Sequence, residues 1–126
     1  MVREVILAMK PGKKLDCIVA RKIMEWKAVP YPHCRGAEYW QNVQGRVTNS
    51  IYGWNPSTDI SSAWEVVKKF PYFLIYTFGD GNFACTMTAD KDKLDAHWGT
   101  AYGKVATEVI CKAALLSKLE GEITNE

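Results

Sequence analysis

The stretch over residues 72–89 constrains the fold more than any other. "YFLIYTF" is β-branched and aromatic throughout, "GDGN" supplies turn chemistry, and "FACTMTA" returns as an antiparallel partner. Little polar residue interrupts the first of these strands, so both of its faces are expected to be covered. The charged run "DKDKLDAHWG" reads as a loop, and "TAYGKV" as a third strand.

Helical patterns flank this hairpin. Val2, Val5, Ile6 and Met9 repeat at helical spacing until Pro11-Gly12 stops them. Leu15, Ile18, Val19, Ile23 and Trp26 then form one apolar stripe, with Asp16, Arg21, Lys22 and Glu25 expected to face away. Prolines 30 and 32 end that pattern. In the middle, Thr58 or Asp59 is placed to cap a helix whose apolar face is Ile60, Ala63, Trp64 and Val67, with a Glu65–Lys69 pair on its wet side. Thr107 is expected to cap a last helix running to about Leu119. On that helix Val109, Ile110, Ala113, Ala114 and Leu116 make one apolar face, and Cys111, Leu115 and Leu119 a second nearly opposite. Two faces need two packing partners, and a second subunit is one candidate, which predicts a homo-oligomer, a dimer or tetramer.

Helices, then an antiparallel sheet, then a helix give an α+β chain. With helices on both sheet faces the expected architecture is a three-layer α-β-α sandwich with a small, mainly antiparallel sheet, formed by residues 1–126 as a single domain. A chain of 126 residues buries a real core without metals or disulfides. The segment over residues 28–55 shows no clean periodicity apart from a short strand suggested by Val47, Asn49 and Ile51. Connections of this length are uncommon in compact domains and tend to be functional.

Composition narrows the function. A net charge of +2, with the basic residues scattered in pairs among acids, argues against a DNA or RNA polymer as partner. No apolar run reaches the ~20 residues of a membrane span, and the first residues lack a secretory core, so no membrane partner and a cytoplasmic location are expected. Cys17, Cys34, Cys85 and Cys111 form no CxxC pair, and His33 and His97 add no ligand spacing, so neither a metal nor a cofactor is expected. There is no P-loop, GxGxxG, HExxH or GxSxG, and no nucleophile, base and orienter can be assembled. The expectation is a protein that is not an enzyme.

Binding chemistry is better represented. Many of the tryptophans and tyrosines fall in irregular segments, among them Tyr39, Trp40, Trp54 and Trp98. Such rings either fill the core beneath a long connection or stack on a planar ligand. Arg46 could meet a phosphate. In "GWNPSTDISSAWEVV" the helix start offers free N–H donors, Asn55 an amide, and Ser57 and Thr58 hydroxyls. Capping by Asp59 also explains that stretch. The candidate ligand-binding residues are therefore Tyr39, Trp40, Arg46, Trp54, Asn55, Ser57, Thr58 and Trp98, with no catalytic residue and no metal ligand.

Three segments, "PGKKLDCIVARKIMEW", "NPSTDISSAWEVVKK" and "ATEVICKAALLSK", together resemble the phage α-β-α (ABA) sandwich domain family, in the family's order and with the expected hairpin between the last two. The long aromatic segment over residues 28–55 departs from the short linker of that pattern. The resemblance implies a three-layer sandwich and a phage origin, hence the cytoplasm of an infected bacterial host. It carries over no catalytic residues. Small phage proteins of this kind include oligomeric sponges, so it also implies a non-enzymatic protein that sequesters a nucleotide messenger (a cyclic oligonucleotide such as cGAMP, or an ADP-ribose derivative) and blocks anti-phage immune signalling. The other reading is a protein–protein interaction module, either a host-factor inhibitor or an assembly accessory.

Overall fold

The computed structural model describes residues 3–30, 38–88 and 98–124. Helices α1 (Arg3–Ala8) and α2 (Lys13–Lys22) come first, then strands β1 (Lys27–Pro30), β2 (Glu38–Gln41) and β3 (Val47–Ser50). A single 3-10 turn (Ile51–Gly53) leads to helix α3 (Ile60–Val67), strands β4 (Tyr72–Phe78), β5 (Asn82–Thr88) and β6 (Trp98–Gly103), and helix α4 (Ala106–Thr124). Among the described residues, four helices and two three-stranded antiparallel sheets make an α+β sandwich.

The hairpin forms as its sequence predicts. β4 and β5 pair without a register shift from Tyr72 opposite Thr88 to Phe78 opposite Asn82. Asp80 and Gly81 turn the chain in the left-handed region, at φ 68° and 75°, where glycine has no Cβ to clash and aspartate is among the better tolerated residues. β6 pairs with the other side of β5, leaving β4 at one edge.

One face of this sheet packs on α4, through Cys85 and Met87 of β5 and Ala101 of β6, all buried. The approach is close because β6 alternates small residues on that face. A Cβ at Gly99 would collide with the backbone nitrogen of Ser117 and the carbonyl oxygen of Ala113, and one at Gly103 would lie 3.0 Å from Val109 Cγ2. Every residue of α4 from Val109 to Ser117 is buried. Its two apolar faces are both satisfied within the chain, by β5 and β6 and by α1, α2 and α3. The two-faced helix therefore does not require a second subunit.

Buried polar contacts fix the helical layer. Lys112 is 7% exposed; its ammonium donates to the carbonyl of Leu7 at 2.9 Å and pairs with Glu108 at 2.6 Å, tying α1 to α4. Burial pushes the Cys85 thiol up to about 12. The Cys111 thiol is raised further, by burial first and then by the charges of Asp16, Glu108 and Cys85.

Several local expectations change. The short strand suggested at Val47 forms as β3; β1 and β2, also four residues each, are too short for an alternating pattern to declare itself. α2 ends at Lys22, and Glu25 turns the chain at φ 60° so that Trp26 still reaches the core. Asp16 is buried rather than outward. α3 buries Ser62, Ala63, Val66 and Val67, and leaves Ile60 and Trp64 exposed. Thr107 lies within the first turn of α4 and its hydroxyl bonds across the core instead of capping.

Candidate recognition surfaces

The expected ligand-binding residues fall into three groups. The first is a buried junction at Ser57. Its N–H donates to Asp16 Oδ1 at 2.8 Å, its hydroxyl accepts from the Gly12 N–H at 2.9 Å, and its carbonyl accepts from the Thr107 hydroxyl at 2.7 Å. The starts of α2 and α4 and the turn before α3 thus meet on one fully buried residue. Buried polar groups must be paired, and here all three are paired within the chain.

The second group is an indole cluster. Trp40 and Trp54 are each 1% exposed. Trp26 lies between them, at 6.5 Å from Trp40 and 4.7 Å from Trp54. The Trp54 N–H donates to Glu65 at 3.1 Å, so Glu65 serves the indole rather than only the wet side of α3. The Arg21 guanidinium sits 5.8 Å from the Trp40 ring. This cluster pins the short sheet β1–β2–β3 to the helices. As folded, Trp40 and Trp54 offer no open face for a ligand to stack on, because a sheet of four-residue strands has little else with which to bury itself.

The third group is exposed or half-exposed. Asn55 accepts from the Lys13 ammonium at 3.0 Å and donates to the Tyr52 carbonyl at 3.0 Å. Lys13 also donates to the carbonyl of Ile51 and lies 5.4 Å from the centre of the Tyr52 ring, which is 80% exposed. Thr58 is exposed beside this group. Asp59 caps α3 by accepting from the Ser62 N–H at 3.0 Å, so the chain's own carboxylate already meets that helix end. Tyr39 is half-buried on β2 and Arg46 is exposed in the β2–β3 turn. Trp98 opens β6 opposite Thr88, and its side chain lies outside the described residues.

A different surface went unread in the sequence. On the face of β4–β5–β6 away from α4, Tyr72, Leu74, Tyr76 and Phe78 of β4 and Tyr102 of β6 are 41–63% exposed. Phe78 meets Tyr102 edge-on at 6.0 Å and Tyr76 at 6.2 Å. These three rings flank Ala84, which is fully buried between Tyr76 and Tyr102 in the strand register. Beside them the hydroxyls of Thr86 and Thr100 bond at 2.8 Å. The expectation that both faces of β4 are covered is thus corrected: six of its seven residues are exposed. The signal was available, because in a meander of consecutive hairpins the middle strand takes the centre and β4 falls at the edge.

Among the described residues, no three His, Cys, Asp or Glu side chains gather as a metal site requires. No described helix is long and apolar enough to cross a membrane.

The model of the phage ABA sandwich domain matches residues 17–115. The chain belongs to that family. The match runs from within α2 to within α4, and so includes Ser57 and Thr107, the indole cluster and the open sheet face of this phage ABA sandwich domain. No curated protein and no solved structure matches the chain.

Proposed function

We propose that this phage protein acts by binding a protein partner, without catalysis, through the outer face of β4–β5–β6. The observation that carries this reading is the contiguous apolar face formed by Tyr72, Leu74, Tyr76, Phe78 and Tyr102. Exposed apolar patches on soluble domains mark interaction sites, and aromatic residues are enriched at interface centres. Tyrosines are the only ionisable side chains that the strand register places on this face. That suits a desolvated protein interface better than acid–base chemistry. A host-factor inhibitor and an assembly accessory would both act through a surface of this kind.

The test is capture from a lysate of the bacterial host on the immobilised full chain, compared with Tyr102→Ser and with Lys68→Ala, on the wet end of α3. A captured protein lost with Tyr102→Ser and kept with Lys68→Ala supports the reading. No capture, or capture indifferent to Tyr102, overturns it.

Sequestration of a nucleotide messenger is the second reading, favoured by one observation. Tyr52 presents an 80% exposed ring with an ammonium beside it and Asn55 adjoining. A base stacked on Tyr52 would place its phosphate near Lys13, and stacking of this kind contributes about 1–3 kcal/mol per base. Calorimetric titration with a panel of cyclic oligonucleotides and ADP-ribose tests it. Binding abolished by Tyr52→Ala supports it, and silence across the panel at micromolar protein removes it.

A further inference from the structure

We propose that β4 is the seam at which two copies of this chain join, edge to edge and antiparallel. The sheet β4–β5–β6 then continues into the second copy as one six-stranded sheet. The outer face stays open, so this inference stands apart from whatever binds there.

β4 ends its sheet, so alternate residues turn their N–H and C=O groups away from β5, and among the described residues no further strand receives them. Protein edges are commonly blunted by brevity, a lysine, a proline or a bulge. β4 has seven residues, no charge and no proline, and pairs with β5 in unbroken register. Its apolar side chains are exposed on both sides of the sheet, with Leu74 58% exposed on the outer side and Phe73 44% exposed on the other. Phe73 there meets Trp64, itself 45% exposed, edge-on at 5.9 Å. Water thus reaches an uncharged strand from both faces and along its edge.

The strand suits a second copy of itself. Paired about a two-fold axis at Ile75, Leu74 lies opposite Tyr76 of the second copy, Phe73 opposite Thr77, Tyr72 opposite Phe78, and Ile75 opposite Ile75. No charges meet, and aromatic and aliphatic side chains face one another across the seam. Residues opposite in an antiparallel pair share a face, so the outer apolar stripe runs unbroken from one copy to the next. The area is modest. Edge pairing covers the strand backbone and the near rims of Tyr72, Phe73, Leu74, Tyr76 and Phe78, and leaves their outward surfaces open, so the seam stays below the ~1,200 Å² at which specific interfaces begin. The dimer is therefore expected to dissociate as protein is diluted through the micromolar range.

The experiment has two parts. Sedimentation of the full chain over a dilution series should show a monomer–dimer equilibrium, and Leu74→Lys should weaken it at least tenfold with an unchanged far-UV circular dichroism spectrum. Under mild oxidation Ile75→Cys should cross-link to its symmetry mate, since residues directly opposite in an antiparallel pair have Cα atoms about 4.5–5.5 Å apart, within disulfide reach. Phe78→Cys should not, because its mate lies six residues further along, about 20 Å away. A chain monomeric at all concentrations overturns the proposal, as it would if β4 receives a strand from another protein. So does a dimer insensitive to Leu74→Lys, or one that cross-links at Phe78→Cys and not at Ile75→Cys.

Discussion

In β1–β2–β3 the indole of Trp40 turns inward to join Trp26 and Trp54, and each ring is at most 9% exposed. In β4–β5–β6 the rings of Tyr72, Tyr76, Phe78 and Tyr102 turn outward and are 41–63% exposed. The difference follows from size and neighbours. Four-residue strands cannot build a face of their own, so the short sheet anchors itself by sinking its largest side chains among the helices. The longer sheet fills its inner face with Cys85, Met87, Gly99 and Ala101 because α4 approaches too closely for anything larger. Apart from Phe73 and Phe83, its aromatic residues are left for the other face. The indoles in and around the short sheet, Trp26, Trp40 and Trp54, hold the fold together, and the outer rings of the longer sheet are the ones available to a protein partner.

The comparison breaks most sharply at Trp54. Trp54→Ala removes a buried ring and leaves Glu65 without its donor, and should cost about 3–5 kcal/mol in a urea unfolding curve. A Trp54 whose removal spares stability would return it to the candidate ligand site. Gly99→Ala tests the other sheet. With α4 backbone where the new methyl must go, a loss of about 3 kcal/mol is expected, at the upper end of what overpacking a core costs. Ser57→Ala should cost about 1–3 kcal/mol, since the Gly12 N–H loses its acceptor in a part-buried position while the backbone bonds to Asp16 and Thr107 survive.

How much of this was legible depended on element length. β4 and β5, seven residues each with turn chemistry between them, declared themselves, and so did the stripes of α2 and α4. β1 and β2 did not, because four residues carry too few alternations, and their aromatic content invited a functional reading instead. Asp16 looked like a wet-face acid because its partner, the Ser57 N–H, is 41 residues away in the chain. The capping role of Asp59 was legible because it is local. The outer face was hidden by a strand equally apolar on both sides, a pattern shared by a buried central strand and an edge awaiting a partner.

A subtler separation comes from the thiols. Burial raises Cys85 from the ordinary 9.0 to about 12, so the folded chain holds its proton where an unfolded chain loses it. Stability from this group is complete below about pH 9 and falls as pH rises towards 12. Cys85→Ala should flatten the alkaline limb of a pH–stability curve. An unchanged limb would mean that water reaches the inner face of the sheet at Cys85.

The smallest effect on stability is expected at Tyr102, and there the contrast is most informative. Tyr102 is 63% exposed and meets Phe78 edge-on. Tyr102→Ser should therefore change stability by no more than about 1 kcal/mol, the scale of one aromatic pair at a surface. Dimerisation through β4 should be untouched, because Tyr102 lies two strands from the seam. Binding of a protein partner on the outer face should be lost. A folded, dimeric, partner-blind Tyr102→Ser protein would separate the three roles of this small sheet, its inner face for the core, its edge for a second copy and its outer face for recognition. If Tyr102→Ser instead destabilised the chain as strongly as Trp54→Ala, the outer rings would have to be counted as core, and the contrast between the two sheets would disappear.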